Sequence, residues 1–310
     1  MGGNISAAQA YVADVTSPAE RAKGMGLIGA AFGIGFALGP AISGALLLPS
    51  VNDFFVRVLP PSASTFVAEN PYSLPGLAAS LLSLCSFLMV VFLLPESVGI
   101  RGNAEDATRV QKTSVFSRRF WASVLSDDKR LGLLYMCLLI LMIGHSSMYS
   151  SFPLYCKQVL ALDAHHVGML FLLLGVVTVF VQGGMIRPFV KIFGEKKLLI
   201  TGNVLAATGL FSIAFAHSAT MIAVSLSVIG VGASLNGPTL TSLISKQSKP
   251  ENVGLALGNA QAMSALGRVL GPALGGFLFG WRPQAPFLTM GCIMGIAVWL
   301  SLSIHTHEIA

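Results

Sequence analysis

Several polar side chains lie inside long apolar stretches of this sequence, where an unpaired polar group is costly. The clearest case is Arg268, which stands within the apolar stretch 253–280. A charge at the centre of a bilayer costs ~2.5–3.5 kcal/mol on insertion scales, so such a residue usually faces a cavity or a partner. Two interpretations follow. Arg268 either attracts an anionic group or tunes a proton site, or it is held by backbone carbonyls or a neighbouring segment.

Other polar residues in apolar stretches are candidates for a pathway through the same interior. His145 could exchange protons because histidine titrates near neutral pH; the alternative is a neutral, hydrogen-bonded core histidine. Tyr149 could form part of an aromatic wall for an apolar molecule, or simply pack. Asn236 precedes Gly237 and Pro238, where an interrupted helix would line a midplane cavity; the alternative is a hydrogen bond between helices. Further candidates of the same kind are Gln182, Asn203 and Gln261.

The sequence gives no positive support for catalysis. The four cysteines show neither metal-ligand spacing nor a disulfide framework. Paired carboxylates and nucleophile motifs are also missing from any stretch that could form an aqueous pocket, and no loop combines a basic patch with stacking aromatic residues. We therefore predict a protein that is not an enzyme, with no metal, no cofactor and no nucleic-acid partner.

Composition indicates that these residues are positioned by membrane-spanning helices. The chain is 54% hydrophobic and only 10% charged, whereas a soluble domain is roughly a quarter charged. A hydrocarbon core of ~30 Å needs about 20 helical residues. We predict an all-α polytopic membrane protein. The predicted spans are about 26–48, 74–95, 131–156, 167–186, 198–216, 219–245, 253–280 and 285–304, with part of a ninth at 2–16.

Basic residues predict the orientation of these spans. If the loops after residues 16, 95, 186 and 245 are cytoplasmic, the opposite side holds only Arg57, Lys157 and Arg282. This asymmetry follows the positive-inside rule and places the C-terminus in the cytoplasm of a multi-pass plasma-membrane protein. The cytoplasmic side then holds Arg21, Lys23, Arg101, Arg109, Lys112, Arg118, Arg119, Lys129, Arg130, Arg187, Lys191, Lys196, Lys197, Lys246 and Lys249.

A glycine ladder occurs twice, 232 residues apart. Glycines four apart form a groove into which another helix can pack, and a proline within the helix bends it. The ladder is therefore either a gating helix or a simple packing surface. The first copy comprises Gly26, Gly35, Gly39, Pro40 and Gly44, and the second comprises Gly258, Gly267, Gly271, Pro272, Gly275 and Gly276.

The repeat predicts two related halves, an arrangement typical of secondary transporters. Residues 131–310 form a six-helix half, 96–130 a cytoplasmic linker, and 1–95 a shorter half with an external loop at 49–73. The offset places the origin of the first half about 100 residues before Met1. We therefore expect three spans and part of a fourth to precede this sequence; a native nine-span protein is the alternative.

The ladder resembles a motif of the major facilitator superfamily, and in particular of proton-coupled drug antiporters such as tetracycline efflux pumps. Their fifth segment carries G-x8-G-x3-G-P-x2-G-G, which the second copy matches completely, whereas the first copy has Ser43 in place of one glycine. A basic loop motif of the family is present in degenerate form, without its acidic residue, and Glu195 could pair with a lysine instead. This loop either anchors topology or forms a conformational latch. Its residues are Gly184, Arg187, Lys191, Gly194, Lys196 and Lys197.

The resemblance implies a fold of two helical bundles and transport by alternating access. It implies proton-coupled efflux of a small amphipathic or drug-like molecule by a monomer in the lipid bilayer, with protons as the coupling ion. The alternatives are a sugar or organic-anion symporter of the same fold, and a fragment that transports nothing.

Overall fold

The computed structural model describes residues 42–70, 72–95, 129–248 and 253–304, together with a few isolated residues between 8 and 39. In this part of the chain the regular elements are all helices. They are α1 Pro49–Val58, α2 Pro61–Glu69, α3 Ser73–Leu93, α4 Lys129–Val159, α5 Ala164–Phe180, a π-helical turn Val181–Met185, α6 Ile186–Phe193, α7 Glu195–Ala214, α8 Ala219–Gln247, α9 Val253–Trp281 and α10 Ala285–Ser303.

Seven of the described helices are long and apolar enough to cross a membrane. They correspond to the predicted spans from 74–95 onward, so the predicted all-α membrane fold is confirmed. Most of the predicted spans 2–16 and 26–48, and nearly all of the linker 96–130, lie outside the described residues. The spans are Ser73–Leu93, Lys129–Val159, Ala164–Met185, Glu195–Ala214, Ala219–Gln247, Leu255–Trp281 and Ala285–Ser303.

The predicted external loop 49–73 contains two short helices, α1 and α2, which were not predicted from the sequence. Pro49 and Pro61 each occupy the first turn of a helix. Proline is well suited to this position because its missing N–H has no helical partner there and its φ angle is already helical. Two prolines of the predicted loop therefore begin helices.

The segment after α4 is longer than the predicted span 167–186 and carries a π-helical turn. The turn Val181–Met185 joins α5 to α6 without a break. It contains Gly183 and Gly184, and nothing lies within 4 Å of where a Cβ would stand on either residue. Gly194, with φ 76°, then ends α6 and precedes α7; glycine adopts a positive φ without the steric cost that a side chain would bring.

The described residues fall into two compact units. The first lies within Met1–Gln111 and includes Ala164–Leu172. Within it, a Cβ on Gly44 would lie 3.5 Å from the Cα of Gly168, and His165 Nδ1 lies 3.1 Å from the Gly44 carbonyl oxygen. The end of the first glycine ladder therefore packs closely against the start of α5.

The second unit comprises Lys112–Asp163 and Leu173–Ala310. In it α7 packs along α8, α9 packs along α4, and α10 contacts both α7 and α4. Large buried side chains fill the space between these helices. Two of these side chains are Tyr155 and Phe287, whose rings pack edge to face with their centroids 5.0 Å apart. Three of the candidate residues, His145, Asn203 and Asn236, lie on α4, α7 and α8, the helices that enclose this core.

Candidate functional site

One face of α9 is closed against α4 by the second glycine ladder. A Cβ on Gly267 would lie 2.5 Å from Met142 Cβ, and one on Gly271 would lie 2.7 Å from the Ile143 carbonyl oxygen. A Cβ on Gly275 would lie 2.6 Å from Ser147 Oγ. These distances leave no room for a side chain, so the three glycines allow the two helix backbones to approach closely.

A neighbouring face of the same helix is exposed within the described part of the chain and carries two of its polar residues, whereas Asn259 and Ser264 are buried. The exposed residues on this face are Gly258, Gln261, Arg268, Pro272 and Gly276. At 3.6 residues per turn they lie along one stripe of α9. A Cβ on Gly258 or on Gly276 would have nothing within 4 Å. The ladder therefore combines a packing face with an accessible polar face.

Arg268 stands near the middle of α9, and its side chain is exposed. The backbone carbonyl oxygen of Arg268 accepts a hydrogen bond from Ser146 Oγ at 3.3 Å, which ties α9 to α4 at this level. Glu195, the acidic residue of the basic loop, pairs with Lys246. Within the described part of the chain, the guanidinium of Arg268 has no acidic partner and faces open space.

Among the described residues, two glycines of the first ladder have no packing partner, unlike their equivalents in the second. A Cβ on Gly35 or on Gly39 would have nothing within 4 Å, although the equivalent Gly267 and Gly271 are tightly packed. Gly44, in contrast, contacts Gly168, whereas its equivalent Gly276 is open. Gly26 and Pro40 lie outside the described residues. Within the described part of the chain, the two copies therefore differ in which glycines contact a neighbouring element.

The structure brings Asn203 and Asn236 together in the core of the second unit. Asn236 Nδ2 donates to Asn203 Oδ1 at 2.9 Å, and Asn203 Nδ2 donates to Ser301 Oγ at 2.8 Å. All three residues are fully buried. The network joins α7, α8 and α10, and it corresponds to the hydrogen bond between helices that was the alternative to a cavity-lining role for Asn236.

The surroundings of Asn236 differ in one respect from what Gly237 and Pro238 suggested. Helix α8 is continuous from Ala219 to Gln247 and passes through Pro238 without interruption. A Cβ on Gly202 would overlap the Asn236 amide, so glycine at this position leaves room for the asparagine side chain. Ser301 and Gly202 were missed from the sequence because nothing in their local pattern indicates a partner on a distant helix.

His145 faces a small cavity inside the same unit. The cavity measures about 10 Å³, close to the least that holds one water molecule. Nε2 of His145 is buried and has no hydrogen-bond partner among the described residues. This space is too small and too apolar for a transported molecule. It is lined by Gly144, His145, Met148, Ala206, Leu210, Ile229 and Met294.

The remaining candidates are dispersed. Tyr149 is half-buried on α4, and Gln182 is half-buried in the π-helical turn. The open side of α9, which carries Gln261 and Arg268, and the enclosed polar network, which holds Asn203 and Asn236, are therefore separate regions. His145 belongs with the enclosed core.

The basic loop motif lies at the end of the unit where α6 meets α7. Lys191 and Lys197 are exposed and Lys196 is half-buried. Glu195 Oε1 accepts hydrogen bonds from Lys246 Nζ at 2.8 Å and from Ser242 Oγ at 2.5 Å. The predicted pairing of Glu195 with a lysine is confirmed, and the lysine belongs to α8 and lies outside the motif.

Comparison with known families gives one match along nearly the whole chain. The family model described as "Major Facilitator Superfamily" matches residues 1–192 and 183–308. A similar curated protein is "Multidrug resistance protein 2" of Bacillus subtilis (strain 168), which is 25% identical over 315 residues that cover 97% of this chain and 70% of the relative.

A second relative and a solved structure extend the similarity to human proteins. "Major facilitator superfamily domain-containing protein 10" of Homo sapiens is 26% identical over 299 residues, covering 93% of this chain and 61% of that protein. The solved structure described as "Crystal structure of the human organic anion transporter MFSD10 (TETRAN)" aligns with a TM-score of 0.60 at 24% identity, covering 96% of this chain and 68% of that one. At this identity the structural match establishes the fold.

Proposed function

The chain belongs to the major facilitator superfamily of membrane transporters, and from this premise we propose that it exports a small amphipathic molecule in exchange for protons. The observation that carries the proposal is the open polar face of α9. A membrane helix that exposes Arg268 and Gln261 next to glycines provides charge, hydrogen-bonding capacity and space on one surface. Transporter binding sites lie near the bilayer midplane, and Arg268 stands near the middle of its helix.

The physical argument rests on the cost of an exposed charge within a membrane span. Arg268 has no acidic partner in the described part of the chain, so lipid contact would leave its charge unpaired at a cost of several kcal/mol. Water or a bound substrate removes that cost. In the proposed mechanism Arg268 recognises the polar end of the substrate, Gln261 adds a hydrogen bond, and the open positions at Gly258 and Gly276 admit the apolar part.

Transport of an organic anion is a second candidate, favoured by the exposed cationic side chain of Arg268. The similar human protein of known structure is named as an organic anion transporter, whereas the similar bacterial protein is named for multidrug resistance. An anionic substrate would pair with the guanidinium directly. A cationic drug would be repelled by Arg268. It would have to bind elsewhere on the exposed face of α9, or bind only after another group had neutralised the Arg268 charge.

Transport measurements in everted membrane vesicles test the proposal. Vesicles that contain the protein and have an acidic interior should accumulate an amphipathic probe, and a protonophore should abolish the accumulation. Accumulation that persists with the protonophore would contradict proton coupling. Accumulation no greater than in protein-free vesicles would contradict transport and favour a non-transporting fragment. An anionic and a cationic probe of matched apolar size separate the two substrate classes.

We propose further that the protein is a monomer in the plasma membrane with its C-terminus in the cytoplasm. The excess of basic residues in the loops after residues 95, 186 and 245 supports this orientation. A protease-sensitive tag placed after Ala310 should be cleaved in everted vesicles and protected in intact cells; the reverse pattern would contradict the orientation.

A further inference from the structure

An apolar groove runs along α8 on the surface of the second unit. Its volume is about 500 Å³, and it is largely open to its surroundings. Two of its lining residues carry hydroxyl groups, and one of them, Ser227, already donates to the Ala223 carbonyl oxygen at 2.8 Å. The groove therefore offers hydrocarbon contact along its length. It is lined by Leu173, Val177, Leu205, Thr220, Ala223, Val224, Ser227, Val228 and Val231.

The groove extends from one membrane boundary to about the middle of the membrane. Thr220 is the second residue of α8, next to the connection between α7 and α8, and Val231 lies eleven residues further along. At 1.5 Å per residue this distance is about 17 Å. Half of a hydrocarbon core of ~30 Å is about 15 Å. The groove thus matches the depth of a single leaflet.

A local approach of α5 to α8 at Gly230 bounds the deep end of the groove. A Cβ on Gly230 would lie 3.0 Å from Leu174 Cδ1 and 3.2 Å from Val177 Cγ1. The missing side chain at Gly230 lets α5 lie against α8 just where Val177 and Val231 line the groove. A chain entering at Thr220 would therefore meet a boundary near the midplane.

We propose that this groove binds one acyl chain of a phospholipid, from the leaflet that adjoins the connection between α7 and α8. In the orientation predicted from the basic residues this is the outer leaflet. The lipid headgroup lies near Thr220, at the shallow end of the groove. Unlike the Ser227 hydroxyl, the Thr220 hydroxyl makes no hydrogen bond within its own helix among the described residues. The apolar lining and the single-leaflet depth favour an acyl chain over a polar ligand or a helix that crosses the whole membrane.

Native mass spectrometry of the detergent-solubilised protein tests this site. The wild-type protein should retain one phospholipid per chain. Ala223→Phe and Ser227→Phe each place a ring in the groove and should reduce the lipid-bound fraction at least fivefold. Cys292→Phe is the control, because Cys292 is exposed on α10, a helix that contributes no residue to the lining of the groove; this variant should retain the lipid.

Photolabelling provides a second readout that does not depend on the folding of any variant. Phosphatidylcholine with a photoreactive group on one acyl chain should label the wild-type protein at the groove-lining positions, which lie within 173–177, at 205 and within 220–231. Labelling confined to other segments would overturn the proposal. Retention of lipid by Ala223→Phe at the wild-type level would also overturn it, as would a second protein chain found in place of the lipid. None of these outcomes depends on whether the protein transports a molecule.

Discussion

The two sets of glycines on α9 share one sequence motif but have opposite surroundings. Gly267, Gly271 and Gly275 press against the backbone and small side chains of α4, so that a Cβ at any of them would lie within 2.5–2.7 Å of another atom. Gly258 and Gly276 have nothing within 4 Å. The motif alone therefore does not define what a glycine does; the neighbouring element decides whether it permits helix packing or leaves open space.

The difference shows how one helix can combine fixed packing with an accessible surface. The closed face keeps α9 in register with α4, while the open face presents Gln261 and Arg268 on one side of the helix. A rigid support holds functional side chains more accurately than a mobile one. The glycines that contact α4 thus stabilise the fold, and the exposed face of α9 carries the residues proposed to act in transport.

The largest effect is expected from Gly271→Ala. The new Cβ would lie 2.7 Å from the Ile143 carbonyl oxygen, and because this is a backbone atom it cannot move without shifting the helix. Overpacking of this kind costs about 1–3 kcal/mol. The melting temperature of the purified protein should fall by several degrees. Gly276→Ala is the control on the open face and should melt as the wild type does; equal losses in both variants would remove the distinction between the faces.

A smaller effect is expected from Asn203→Ala in the enclosed polar network. Removing this amide leaves Asn236 Nδ2 and Ser301 Oγ without their shared partner. An unsatisfied buried group of this kind costs about 1–2 kcal/mol. Thermal unfolding should report the loss, while the preference of the transporter among probes stays unchanged. A change in substrate preference at wild-type stability would instead place Asn203 in the substrate pathway.

The smallest effect on transport is expected from His145→Ala. His145 Nε2 faces an apolar cavity of about 10 Å³, and the other residues lining that cavity are apolar. A proton pathway needs a chain of polar groups or water, which this space does not provide. The pH dependence of transport should therefore match that of the wild type. A displaced pH profile would return His145 to the proton pathway, the role that a histidine within an apolar stretch first suggested.

The sequence was sufficient to predict the seven spans from 74–95 onward, because a membrane span depends on local composition and length. It could not show which glycines of α9 pack against another helix, since that depends on Met142 and Ile143 of α4, which are distant in the sequence. Asn236 could be singled out as a buried amide, but its partner Asn203 lies 33 residues away in the chain. The helices α1 and α2 were missed because proline signals both a loop and the first turn of a helix.

Residue Arg268 also shows this limit. Its position inside an apolar stretch identified it as a candidate, with a structural role as the alternative. The structure places its side chain on the open face and its backbone against Ser146. The packing of α9 on α4 decides that the Arg268 backbone contacts a neighbouring helix while its side chain is exposed. That packing depends on the close approach of the two helices at Gly267 and Gly271.

The most direct measurement is the initial transport rate of Arg268→Gln in everted vesicles, compared with Arg282→Gln. Arg282 is exposed just beyond the end of α9 and carries the same charge away from the proposed site. We predict that Arg268→Gln lowers the rate at least tenfold, equivalent to about 1.4 kcal/mol of transition-state free energy, with normal membrane insertion and melting temperature, and that Arg282→Gln retains the wild-type rate. Equal rates for the two variants would contradict a transport role for the open face of α9.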